Sequence, residues 1–254
     1  MKSKPAEFYD RLAADYAVLT DDTVRRPAAA RFAAALRQRH PRARSVLDVA
    51  TGSGLFALAA AAAGFPVVAG LDPSAALLAQ ARQTASQAGA AIQWLVGRME
   101  TLAERITDRF DLLLCMGNSL PHLTGPGDLE RAAAGFRACL QPGGVLYLHL
   151  LNYPRRLATG ERVIGLTRDG TREFIRFQDP PDGDGLIRFN VLTIDWSGPA
   201  PVHVLNSVPL RPFPPDTVTG ALRDAGFSSC RIHGGLDFAP FDGRRADTVL
   251  IEAR

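Results

Sequence analysis

From Asp48 to Ala57 the chain reads Asp-Val-Ala-Thr-Gly-Ser-Gly-Leu-Phe-Ala. An acid ends a short apolar run, small residues follow, and an apolar helical stretch begins. Glycine lets backbone approach a ligand closely, and the start of the helix behind such a loop favours negative groups. Gly52-Ser53-Gly54-Leu55-Phe56-Ala57 fits G-x-G-x-x-G/A, a pattern that seats a pyrophosphate. Asp72 follows Gly54 by 18 residues, the right distance for an acid that accepts from ribose hydroxyls. Its plainer reading is a helix N-cap, because Asp72-Pro73-Ser74 starts a helical stretch. Asp48 bears on the ligand. A carboxylate at the end of the strand repels phosphates and suits a ligand with a cationic amino-acid tail.

These residues need a frame to hold them. Residues 5–19 and 25–39 read as helices, with apolar residues at helical spacing. Strands at 45–50, 66–71, 92–96, 110–116 and 145–151 then alternate with helices at 55–63, 75–88, 99–106 and 129–140. Such βα units imply a parallel sheet with helices on both faces. Between 161 and 208 the pattern changes to alternating strands: "REFIRF", the turn "DPPDGDG", "LIRFNVLTIDW" and "PVHVLNSV". A helix at 215–225 precedes "SSCRIHGG" and "ADTVLIEA", which read as two final antiparallel strands. The expected fold is α/β, a doubly wound, mostly parallel seven-stranded sheet of Rossmann-like type. Residues 1–40 are expected to form a helical cap, 41–153 and 213–254 the ligand-binding domain, and 154–212 an antiparallel insertion contacting substrate or another subunit.

Composition narrows the class. Of 254 residues, 46% are apolar and 22% charged, ordinary for a globular domain. No apolar run is long enough for a membrane span, and the start lacks the apolar region of a secretory signal. The three cysteines are odd in number and far apart, without metal-ligand spacing. Reduced thiols and a cytoplasmic setting are the expectation. Net charge is +3, and the 26 acids dilute the basic residues, which argues against nucleic acid as partner. Self-association is left open.

The stretches "VLDVATGSG", "GLDPS", "FDLLLCMGNSLPHL" and "LQPGGVLYLHL" resemble the class I methyltransferases that use S-adenosylmethionine (SAM). The resemblance spans Val46 to Leu151. "GNSLPHL", "LNYPRRL", the insertion and the N-terminal "FYDRLAADY" are most similar to the glycine/sarcosine N-methyltransferase group. The resemblance implies SAM as cofactor and methyl transfer to a small-molecule acceptor, at an amine nitrogen. Transfer to oxygen or carbon stays open, as does a binding protein that kept the fold without activity. A nicotinamide oxidoreductase lacks a catalytic set at known spacing. "GNSLPH" also differs from the Asn/Asp-Pro-Pro-aromatic loop that stacks a flipped base.

The resemblance also implies residue roles. Asp48, Ala50, Gly52 and Gly54 form the cofactor loop, while Asp72 and Pro73 meet the ribose. Arg98, Met99 and Glu100 flank the adenine, with a buried core methionine as the plainer reading of Met99. Backbone at Cys115 and Met116 meets the methionyl amine; Cys115 has no thiolate-activating partner to make it a nucleophile. Arg26, or its neighbour Arg25, pairs with the methionyl carboxylate; a solvated helix start is the plainer reading. Asn118, Ser119 and His122 line the acceptor mouth. His122, Asn118, Tyr16 and Tyr153 are the candidate catalytic residues, with Tyr16 also at the cofactor. Ordinary packing is the plainer reading of Tyr9, Tyr16 and Tyr153. His149 and His203 read as structural. Three positions depart from the family. Ala50 replaces the first loop glycine, which is tolerable if its φ is negative. Arg98 replaces an acid that accepts from the adenine amino group, leaving Glu100 or backbone to do so. Leu151 replaces the arginine that clamps glycine.

Overall fold

The computed structural model describes Lys4–Arg254. The first three residues of the expected 1–40 cap lie outside the described residues. The apolar runs pair as a seven-stranded sheet in the order β10-β11-β5-β4-β1-β2-β3. Its parallel centre is β1 (Ser45–Val49), β2 (Val67–Asp72), β3 (Gln93–Val96), β4 (Phe110–Cys115) and β5 (Leu140–Leu151). The final strands, β10 (Cys230–His233) and β11 (Thr248–Ala253), pair antiparallel, and β11 runs antiparallel to β5. Successive connections leave β1 in one direction along the sheet and β4 in the other. That reversal opens a crevice at the carboxyl ends of β1 and β4, where open α/β sheets bind ligands.

Helices cover both faces of the sheet. On one, α3 (Asp22–Arg39) and α4 (Leu55–Ala62) bury Phe32, Leu36, Phe56 and Ala57 against Val46, Leu112 and Tyr147. On the other, α7 (Asp128–Ala138) and α9 (Pro215–Asp224) bury Phe136, Val218 and Leu222 against Leu47, Leu113 and Ile251. Thus α3, expected in the cap, is a covering helix of the sheet. The first expected helix is broken into α1 (Lys4–Leu12), a 3₁₀ turn at Ala13–Asp15 and α2 (Tyr16–Leu19).

The insertion holds four antiparallel strands, β6 (Val163–Asp169), β7 (Arg172–Gln178), β8 (Ile187–Asp195) and β9 (Val202–Leu210). β6 escaped the strand-by-strand reading because it is an exposed edge without clean alternation. One face of this sheet packs Phe174, Ile187, Val191 and Val208 against Phe8, Leu12 and Leu19 of α1 and α2. Cap and insertion therefore share a core above the crevice. Three further helices follow strands: α5 (Ala75–Gln87) after β2, α6 (Leu102–Arg105) after β3 and α8 (Tyr153–Thr159) after β5.

Candidate active site

A cavity of about 440 Å3 lies over the carboxyl ends of β1, β2 and β4, with Pro5, Tyr9 and Tyr16 from α1 and α2 in its wall. Strand order arranges its lining. Arg98, Met99 and Glu100 follow β3, Asp72 and Pro73 end β2, and Ala50 and Gly52 follow β1. Gly117, Ser119 and His122 follow β4. A small adjoining pocket is lined by Tyr16, Arg25, Asp48, Ser53 and Met116.

Asp48 organises the loop from below. Its Oδ2 accepts from the Thr51 hydroxyl at 2.5 Å and from the Ala57 N–H at 3.2 Å, in the first turn of α4. Burial pushes its carboxyl up to about 7, against the lowering effect of those two donors. Ala50 has φ of +56°, so the expectation of negative φ fails. The Thr51 N–H donates to Leu71 O, and that tie to β2 turns the chain at Ala50 whatever residue stands there. A left-handed alanine costs about 1–2 kcal/mol.

The two glycines serve different ends. Gly52 (φ +58°) donates its N–H to Asp72 Oδ2 at 2.7 Å, and a Cβ there would come within 3.3 Å of the Tyr16 hydroxyl. It keeps the cradle open. Gly54 (φ +82°) does not line the cavity. A Cβ on it would meet Trp94 Cη2 at 2.5 Å, and one on Gly70 would meet the same ring at 2.6 Å. Gly54 therefore makes room for Trp94 rather than for a ligand.

Asp72 is not the cap of α5. Ser74 takes that place, its hydroxyl oxygen accepting from the Leu77 N–H at 3.2 Å. Asp72 instead accepts from the N–H groups of Gly52 and Ser74, one on each oxygen. A carboxylate has about four acceptor positions, so both oxygens keep capacity for ligand hydroxyls. Burial raises its pKa to about 6 despite those donors. Beyond β3, Arg98 Nε donates to Glu100 Oε1 at 2.6 Å, and both residues line the cavity.

At β4 the structure revises several expectations. Cys115 lies in the core and does not line the cavity, and burial raises its thiol pKa strongly. Met116 lines only the adjoining pocket. Arg26 turns outward, 58% exposed, beside Asp22 at 3.6 Å. Arg25 faces the site instead, with Nη2 3.5 Å from where a Gly117 Cβ would stand. Neighbouring helix residues point about 100° apart, so α3 presents only one of the two. Asn118 and Tyr153 do not line the cavity either. Asn118 Nδ2 donates to the Tyr153 hydroxyl at 2.7 Å, and Asn118 Oδ1 accepts from the Leu151 N–H at 3.0 Å. The pair fastens the β4 loop to the end of β5, and Tyr153 is fully buried.

His122 does face the cavity. Its Nε2 lies 2.9 Å from the Tyr9 hydroxyl, and its buried Nδ1 has no partner. Burial lowers its pKa to about 4, so the ring is neutral at ordinary pH. Burial likewise raises the phenols of Tyr9 and Tyr16, whose rings meet edge-on at 5.9 Å. Tyr9 and Pro5 belong to one face of α1, an i, i+4 pair that was the available signal for this wall. Leu123, the end of "GNSLPHL", also lines the cavity, as do Thr124 and Asp128, to which no motif pointed.

With this geometry in place, similarity to known proteins is informative. Residues 46–144 match the methyltransferase-domain family. Over 195 residues the chain is 31% identical to a glycine/sarcosine N-methyltransferase of Aphanothece halophytica, spanning 76% of this chain and 69% of that one. Over 146 residues it is 34% identical to a dTDP-3-amino-3,6-dideoxy-alpha-D-glucopyranose N,N-dimethyltransferase of Streptomyces fradiae, spanning 56% and 53% respectively. In fold it matches the crystal structure of an S-adenosylmethionine-dependent methyltransferase from Clostridium acetobutylicum with a TM-score of 0.80. That match has 15% identity and covers 97% of this chain and 98% of that one. Among the described residues no helix is long and apolar enough to cross a membrane. The chain belongs to the class I SAM-dependent methyltransferases, and its cofactor is S-adenosylmethionine.

Proposed function

We propose that the acceptor is a small molecule methylated on an amine nitrogen, and that the cavity between β3 and β4 seats the cofactor. One observation carries the placement: a continuous wall runs from Arg98-Met99-Glu100 through Asp72 and Gly52 to Tyr16 and His122. The residues fit the group. Asp72 keeps acceptor capacity for two ribose hydroxyls, Gly52 leaves the cradle bare, and Arg25 offers a guanidinium to a carboxylate. Met99 packs the adenine end, and Glu100 accepts there.

The cofactor supplies a methyl group already activated on cationic sulfur. The chain's own task is to position. Tyr9 and Tyr16 present aromatic rings, which suit a neighbouring cation. Neutral His122 offers hydrogen bonding without a competing positive charge. Holding an amine in line can lower a barrier by several kcal/mol, on the order of 7–11 at best, without a strong base. Both curated relatives described above are named for transfer to nitrogen, which supports the amine reading. The wall of α1 and α2 over the cavity supports a small acceptor rather than nucleic acid. Three unpaired cysteines, two of them buried, support a reducing compartment such as the cytoplasm.

Thermal-shift titration with S-adenosylhomocysteine, SAM and NAD tests the cofactor site, because a ligand of the native state raises the melting point by mass action. The first two are expected to stabilise and NAD is not. Isotope transfer from methyl-labelled SAM to amines, phenols and alcohols then tests the acceptor. Labelled phenols with unlabelled amines would overturn the amine reading.

A further inference from the structure

The antiparallel insertion has a second face, turned away from the cap. On β7 and β8, Ile175 and Leu192 alternate with Phe174 and Val191, which are buried against α1 and α2. Successive side chains of a strand point to opposite faces, so Ile175 and Leu192 point outward. Register carries the same row across the whole sheet. Leu166 on β6 pairs with Ile175, Ile175 with Leu192, and Leu192 with Leu205 on β9. None of the three apolar cores among the described residues takes in any of these four. Leu166 is 62% exposed and Leu205 55%.

Charges at the two ends of this row are matched among themselves. At one end Arg168 lies 3.3 Å from Glu173, which also accepts from the Trp196 indole N–H at 3.2 Å. At the other, Arg162 pairs with Asp179 at 2.6 Å, and Asp179 accepts from Asn190 Nδ2 at 2.9 Å. An apolar centre inside a paired polar rim has the anatomy of a protein–protein interface. The two ion pairs cancel, so two copies of the face meet without like-charge repulsion from them, although the chain carries +3 overall. Four strands of about seven residues cover roughly 19 by 24 Å, on the order of 450 Å2 in plan. That is more than half of the roughly 800 Å2 that each partner gives to a standard interface. Trp196, 48% exposed beside Glu173, widens it.

We propose that this face is the contact between two copies of the chain, sheet packed on sheet about a two-fold axis. A row with one apolar side chain per strand is its own complement. A two-fold through its middle lays Ile175 and Leu192 of one copy on the same two residues of the other. The insertion then has two buried faces, one holding α1 and α2 over the cavity and one joining the subunits.

Sedimentation equilibrium of the full chain from about 1 to 100 μM tests this. Wild type is expected at twice the chain mass through most of that range. Leu166→Glu and Leu205→Glu each place a carboxylate in the row of both copies and should raise the dimer dissociation constant a hundredfold or more. Both positions are exposed in the single chain, so the variants should keep the wild-type circular dichroism; Leu205→Lys repeats the test if either glutamate variant fails to fold. Val67→Glu, at a site 52% exposed on the seven-stranded sheet, should leave the constant within threefold. Trp196 emission should shift to the blue as the dimer forms, and Trp196→Phe should abolish that shift. A wild-type monomer throughout would overturn the proposal and leave the face to a different partner. Retention of the dimer in folded Leu166→Glu and Leu205→Glu would overturn it too, by placing the contact elsewhere, as would loss of the dimer in folded Val67→Glu.

Discussion

The Tyr9 hydroxyl sits 2.9 Å from His122 Nε2, joining residues 113 positions apart across the mouth of the cavity. It ties the cap to the β4 loop at the cavity wall. Tyr9→Phe leaves both ring nitrogens of a buried imidazole without partners, at a cost on the order of 1–3 kcal/mol. Methyl transfer is expected to fall about tenfold in kcat/KM, with S-adenosylhomocysteine affinity nearly unchanged. Steady-state kinetics beside calorimetry checks this; equal losses in both would make Tyr9 a cofactor residue only.

Arg25 and Arg26 separate cleanly by substitution. Arg25→Met removes a charge-assisted contact worth about 1.5–3 kcal/mol and should weaken S-adenosylhomocysteine about 10- to 100-fold. Arg26→Met should leave it within twofold, since that side chain is 58% exposed beside Asp22. The reverse result would restore Arg26 to the site.

Ala50→Gly should stabilise the protein. It removes the left-handed strain of φ +56° and adds some chain entropy to the unfolded state. The net gain is expected near 1 kcal/mol, or about 2–4 °C in melting temperature for a chain of this size. Differential scanning calorimetry of the cofactor-free protein measures it, and a lower melting temperature would show that Ala50 is not strained.

Stability against pH carries opposing signs. Burial raises Asp48 to about 7 and Asp72 to about 6, so between the usual carboxylate range and those values the folded state holds more protons. Stability from these groups falls as pH rises through that window. Burial lowers His122 and His149 to about 4, so the unfolded state holds more protons from there up to about 6.5, the ordinary histidine value. Stability from these rises with pH across the same window. The cofactor-free protein should therefore be nearly flat between pH 4.5 and 6.5. Asp48→Asn removes one falling contribution. Its stability relative to wild type should rise from pH 4.5 to 8 by about 3 kcal/mol, the worth of the part of the shift that lies in that window. Urea denaturation at the two pH values reads this, and a constant difference would mean Asp48 titrates normally.

The central strands were legible because buried parallel strands must be apolar on both faces, as Val46 to Val49 and Leu112 to Cys115 are. Asp48 and Asp72 stood out as acids inside such runs. What escaped was decided by tertiary geometry. The φ of Ala50 follows from a hydrogen bond to β2, not from its side chain. The choice between Arg25 and Arg26 follows from how α3 sits on the sheet. Asn118 and Tyr153 carry acceptor-site chemistry by type, yet they satisfy each other.

Asp10 of α1 accepts from the Ser74 hydroxyl at 2.6 Å and from the Ala76 N–H at 3.3 Å, at the N-terminus of α5 and two residues beyond Asp72. The cap is thus latched to the segment that carries Asp72. Lifting α1 uncovers the first turn of α5 and parts Tyr9 from His122 in one movement.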